Sequence, residues 1–119
     1  MIGVFYLGLL NNICKDEEIK LIDFTDEFGE ILIGTSNTIG QGLAVAQEDK
    51  KYIFFDRTAQ KWEKRFTVAH EIAHHLLGHL RPDTTITHQD RENEANIFAS
   101  VLIGLMLYKE YETKGGKII

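Results

Sequence analysis

The stretch Arg65-Phe66-Thr67-Val68-Ala69-His70-Glu71-Ile72-Ala73-His74-His75-Leu76-Leu77 sets the reading of the whole chain. It lies in a run from Thr58 to Leu77 that holds no glycine or proline and is rich in helix formers. Within it, His70-Glu71-Ile72-Ala73-His74 is an H-E-x-x-H pentad. On a helix, positions i and i+4 stand one turn apart on one face, so both imidazoles can address a single metal ion. Glu71 follows the first histidine and can lie beside the metal without binding it, where a general base for a water is needed. A solvated helix could carry the same three residues, but Val68, Ala69, Ile72, Ala73, Leu76 and Leu77 surround these. Imidazole and carboxylate groups buried in an apolar setting need a partner, and a metal supplies one.

Working outward, Trp62, Phe66, Ala69, Ala73, Leu76 and Leu77 recur at three- and four-residue steps and predict the apolar face of this helix. Gly78 is placed to stop it and Pro82 lies just beyond. Thr87, with Asp90 three residues on, reads as a cap for a following helix over about 88–107. The second half of that helix, Val101-Leu102-Ile103 and Leu105-Met106-Leu107, is apolar on nearly all sides and is expected at the centre of the core. The tail, about 108–119, is charged and glycine-bearing and is expected to fray. Toward the N-terminus, a first helix is expected over 2–14, weakened by Gly3 and Gly8, then a strand over 19–24. Gly29, Gly34, Gly40 and Gly42 suggest strands joined by turns. Leu43-Ala44-Val45-Ala46 and Tyr52-Ile53-Phe54-Phe55, with a turn over Gln47-Glu48-Asp49-Lys50, predict a hairpin. The expected fold class is α+β: a small antiparallel sheet or hairpin packed on a helical core that carries the pentad helix and a following ligand-bearing helix.

A chain of 119 residues implies one domain over 1–119. The single cysteine, Cys14, excludes an internal disulfide or a cysteine-based zinc site and fits a reducing, cytoplasmic setting; it reads as a small buried apolar residue. A net charge of −5 and no basic stripe argue against direct nucleic-acid binding. The apolar start, Ile2 to Leu10, lacks a basic leader and is too short to span a bilayer, so no membrane role is expected.

A catalytic zinc usually takes a third protein ligand. The longer pattern with a third histidine six residues after the second finds Leu80 there, and Leu77 where its glycine belongs. Gly78 and His79 are each one place off, about 100° of rotation on a helix, and that class is rejected. The remaining candidates are Glu92 and Glu94 on the next helix. Glu92 has Asn96 one turn along, which could hydrogen-bond a ligating histidine and fix its tautomer. Glu94 has Phe98 in that place. Periodicity leaves both open, and both also suit the N-terminal end of a helix dipole.

The Arg65–Leu77 segment, followed by Glu92-Asn93-Glu94-Ala95-Asn96-Ile97-Phe98-Ala99, resembles the ImmA/IrrE family of metallopeptidases, a gluzincin-like catalytic module. That family carries R-F-T-x-A-H-E-x-x-H and then E-x-x-A-N-x-F-A. The resemblance covers roughly 42–106, and the two motifs together are specific. It implies that His70, His74 and Glu92 bind Zn2+, that Glu71 is the general base, and that Glu92 is favoured over Glu94. Family members often continue with L-L-M-P, where this chain has Leu102-Ile103-Gly104-Leu105. The resemblance further implies a regulatory peptidase whose protein substrate is a helix-turn-helix transcriptional repressor, in a mobile element or stress response. A non-catalytic zinc-containing module that sequesters a regulator is the competing reading, and the intact Glu71 speaks against it. His75, His79, His88, Tyr52 and Tyr108 are candidate donors to an oxyanion, among which the sequence does not choose. His75 is expected in a surface or capping role, and His79 and His88 as loop residues.

Overall fold

The computed structural model describes residues 7–23, 42–56 and 58–115. The elements, in order, are α1 (Leu9–Asp16), β1 (Ile19–Asp23), β2 (Gly42–Gln47), β3 (Lys50–Phe55), α2 (Lys61–Leu76) and α3 (His88–Thr113). The α+β expectation holds, with helices packed on a small sheet.

The hairpin forms as expected. Glu48 and Asp49 both adopt positive φ, 50° and 66°, the mark of a tight turn whose twist matches the strands. It joins β2 to β3 from Gln47↔Lys50 to Gly42↔Phe55. The sheet is not purely antiparallel, however. β1 pairs parallel with β3, from Ile19↔Lys51 to Asp23↔Phe55, so the order is β1-β3-β2 and the sheet is mixed. A parallel pair needs a long crossover rather than a tight turn, and the chain between β1 and β3 provides the length. The glycine-punctuated segment from 24 to 41, for which strands and turns are expected, lies outside the described residues, as do 1–6 and 116–119.

The first helix does not run through 2–14. Gly8 has φ +54°, incompatible with a right-handed helix, and α1 begins after it and continues to Asp16. α2 starts three residues later than Thr58, because Asp56 Oδ1 accepts from the Thr58 amide (2.8 Å) and hydroxyl (2.6 Å). Such an Asp-centred turn competes with helix. At the far end, Gly78 takes φ +74° as expected of a stop. Its amide donates to His75 O and the His79 amide to His74 O, the paired bonds of a Schellman cap. Thr87 Oγ1 accepts from the Asp90 amide at 3.2 Å, the expected cap of α3.

Two expectations about burial are corrected. α2 buries Lys64, Arg65, Val68, Ala69, Ile72 and Ala73, whereas Trp62 is 50% exposed and Phe66, Leu76 and Leu77 are also exposed. The stripe Phe66, His70, His74 opens on a cleft, so an apolar residue beside a cleft mimicked core in the sequence. α3 is not buried all round. It contributes Ala95, Ala99, Leu102 and Met106, while Ile97 (68% exposed), Val101 and Leu105 face outward. α3 also continues past the expected end near 107, to Thr113. Glu110 there pairs with Arg65, itself 3% exposed, through bonds of 2.7 and 3.4 Å. The core joins Leu7, Leu10, Cys14, Ile53, Phe55, Val68, Ile72, Ala99, Leu102 and Met106. No helix among the described residues is long and apolar enough to cross a membrane.

Candidate metal centre

α2 and α3 pack closely against each other, and the cleft of about 670 Å³ at their junction is bordered by the Gly42 end of β2. Periodicity on α2 places His70 and His74 on the cleft side, one turn apart. α3 brings Glu92 to meet them. His70 Nε2 and His74 Nε2 are 3.0 Å apart, and Glu92 Oε2 lies 3.2 Å from the first and 2.8 Å from the second. Among the described residues these three form a group able to hold a metal ion.

The surrounding hydrogen bonds decide which ring nitrogens carry protons. Asn96 Oδ1 is 2.9 Å from His70 Nδ1 and can only accept, so Nδ1–H donates and Nε2 keeps its lone pair. Glu94 Oε1, 2.7 Å from His79 Nε2, accepts from that N–H. With its proton on Nε2, His79 presents an Nδ1 lone pair 2.9 Å from His74 Nδ1, which in that arrangement carries the proton. His74 Nε2 is then also a lone pair. With both Nε2 atoms unprotonated, two imidazole lone pairs and a carboxylate oxygen converge on one point, and a mixed N/N/O set of this kind suits zinc.

Glu71 lines the same cleft beside the three. Burial pushes its carboxyl up to about 7; His70 draws it down, Glu92 pushes it up, and a hydrogen bond from the Ala44 backbone draws it down. His74 is held below the ordinary histidine range, first by burial and then by His70. Gly42 closes the cleft wall so tightly that a Cβ there would sit 2.4 Å from Thr67 Cγ2 and 3.3 Å from Glu71 Cγ.

The chain matches the family model described as the IrrE N-terminal-like domain, Peptidase_M78, over residues 16–111. It belongs to that peptidase family. The matched span contains both motifs and all of β1, β2, β3 and α2. No curated protein and no solved structure matches the chain significantly.

The other polar residues singled out in the sequence sort by position. Glu94 does not join His70 and His74; it pairs with His79. His75 faces the sheet, where Nε2–H donates to Tyr52 O at 2.8 Å, and burial lowers its pKa. It pins α2 to β3 rather than capping a surface. His79 does sit in the turn after α2, yet it is buried and bonded on both ring nitrogens, which the sequence reading missed. The available signal was the Gly78-His79 pair at the helix stop. His88 lines the cleft at the first turn of α3. Tyr52 and Tyr108 are not among the residues lining it.

Proposed function

We propose that this chain is a zinc-dependent endopeptidase that makes a site-specific cut in a helix-turn-helix transcriptional repressor in the cytoplasm. The observation that carries the reading is the convergence of His70, His74 and Glu92 next to a half-buried Glu71. His70, His74 and Glu92 would hold the zinc, which when bound supplies Lewis-acid polarisation of the scissile carbonyl and acidifies water. The chain's own residues do the rest. Glu71, desolvated so that its proton affinity lies near neutrality, takes a proton from the attacking water on a carboxylate oxygen and returns it to the leaving amine. Asn96 holds the His70 ring in orientation through Nδ1. β2 helps hold the base at the cleft wall through the hydrogen bond from the Ala44 backbone. The acidic balance of the chain, −5, favours a protein partner over DNA.

The test is to incubate the zinc-loaded protein with helix-turn-helix repressors from the same genome, starting with any encoded next to it, and to follow each repressor by mass spectrometry. One discrete cleavage is expected with the wild type and none with Glu71→Gln. Loss of repressor function with Glu71→Gln, and no cut with either protein, would assign the chain to sequestration instead.

A further inference from the structure

The geometry points to a second, outer set of residues behind the metal centre: we propose that Glu94 and His79 are positioning residues that lock His74 with its Nδ1 protonated and its Nε2 lone pair aimed at the cleft. The inference rests on the metal reading of His70, His74 and Glu92, and deepens it.

Its basis is a chain of two contacts through three side chains that has no other evident use. Glu94 Oε1 lies 2.7 Å from His79 Nε2, and His79 Nδ1 lies 2.9 Å from His74 Nδ1. A carboxylate can only accept, which sets the proton on His79 Nε2 and passes the choice inward to His74. The His79 side chain is 1% exposed, whereas that of Glu94 is 49% exposed. Water therefore does not compete at the imidazole–imidazole bond, and the carboxylate reaches it from the rim.

The backbone explains why His79 can do this. In a Schellman cap, the residue after the left-handed glycine returns over the last turn and usually makes an apolar contact with the residue five positions earlier. Here those two residues are His79 and His74, bridged at the backbone by His79 N–H to His74 O at 3.0 Å. An imidazole pair replaces the customary apolar contact, with ring centroids 5.1 Å apart. The two metal-facing histidines thus receive matched support from different sources: His70 from Asn96 on α3, His74 from the cap of its own helix. α3 contributes to both, through Asn96 and Glu94, and so clamps the pentad from either side.

Side-chain geometry supplies a discriminating pair of variants. Asn carries Oδ1 where His carries Nδ1, so His79→Asn keeps an acceptor for His74 Nδ1–H, while His79→Leu fills the space without one. Zn2+ affinity is measured by competition with a chromophoric chelator, with folding checked by circular dichroism. His79→Leu is expected to weaken zinc binding about 10–100-fold, and His79→Asn to recover most of it. Glu94→Leu should show the same direction with a smaller loss, and Glu94→Gln, still an acceptor, should stay near wild type.

A second readout needs no metal. Long-range 1H–15N spectra of the metal-free protein near pH 8 are expected to show His74 protonated on Nδ1, and His79→Leu to shift it toward the other tautomer. Wild-type zinc affinity in a folded His79→Leu protein would overturn the proposal, as would His74 protonated on Nε2 in the metal-free wild type. Failure of His79→Leu to fold leaves His79→Asn against Glu94→Leu, and the tautomer spectrum, to decide. A wild type that shows the expected tautomer but binds no zinc upholds the positioning and removes the metal reading instead.

Discussion

Glu71 shows most directly how one side chain links burial to chemistry. Its carboxyl is pushed up to about 7 chiefly by desolvation, against an ordinary value of 4.5. A raised carboxyl means the native state holds its proton more tightly than the unfolded chain. The stability this confers is complete below about 4.5 and is lost as the pH rises through about 7. Glu71→Gln has no such loss, so in the metal-free protein its Tm should exceed that of wild type at pH 8 and the gain should shrink toward pH 4. With allowance for the part of the group still in contact with water, the gain at pH 8 is about 1–2 kcal/mol. Thermal melts across that pH range check it, and a pH-independent difference would contradict the assignment. Gly42 makes a different demand. An added Cβ would collide with Thr67 Cγ2 at 2.4 Å, so Gly42→Ala is expected to cost about 1–3 kcal/mol in urea unfolding. Adding Thr67→Ser, which removes that methyl and keeps the hydroxyl, should restore a large part. Cys14 is buried and its thiol is pushed up to about 12 by desolvation, so thiolate is scarce at pH 8. A chromogenic disulfide should label it only at the rate of unfolding.

At the scale of elements, α2 and α3 form one unit. They meet at His70, His74 and Glu92 and again, some eighteen positions further along α3, at Arg65–Glu110. Arg65 is buried and also stacks its guanidinium 4.9 Å from the Trp62 ring, so removing the Glu110 carboxylate takes one partner from a buried charge. Glu110 is partly exposed, which tempers the effect. Glu110→Ala is expected to cost about 1–2 kcal/mol in chemical unfolding, and truncation after Leu107 at least as much. A truncated chain as stable as the parent would show that the last turns of α3 contribute nothing. These turns were not readable from Tyr108 onward, because charged, glycine-bearing sequence resembles a loose tail. What extends the helix is a partner forty-five residues away. The face of α2 was misread for a related reason. Phe66 obeys the periodicity of a core residue, but its stripe borders the cleft, and periodicity reports which residues share a side without saying what lies on that side.

For the molecule as a whole, the candidate metal site of His70, His74 and Glu92 draws on both long helices, so binding of a metal there and folding should be linked. With free Zn2+ at about 100 times its Kd, stability should rise about 2.7 kcal/mol, a Tm increase on the order of 10 °C, reversed by a chelator. Glu92→Gln should lose most of that increase in differential scanning calorimetry; an undiminished rise would place the metal elsewhere. The helix–turn signals were all local and all legible: the pentad, the Gly78 stop, the Thr87 cap and the Glu48-Asp49 turn each depend on residues within a few positions. So did the pairing of His70 with His74, since a helix carries positions four apart onto one face whatever surrounds it. The parallel partner of β1, the choice between Glu92 and Glu94 as neighbours of that pair, and the use of His79 were settled only when distant segments packed together. Each depends on the rotation of one element against another, a quantity that no local pattern of side chains encodes.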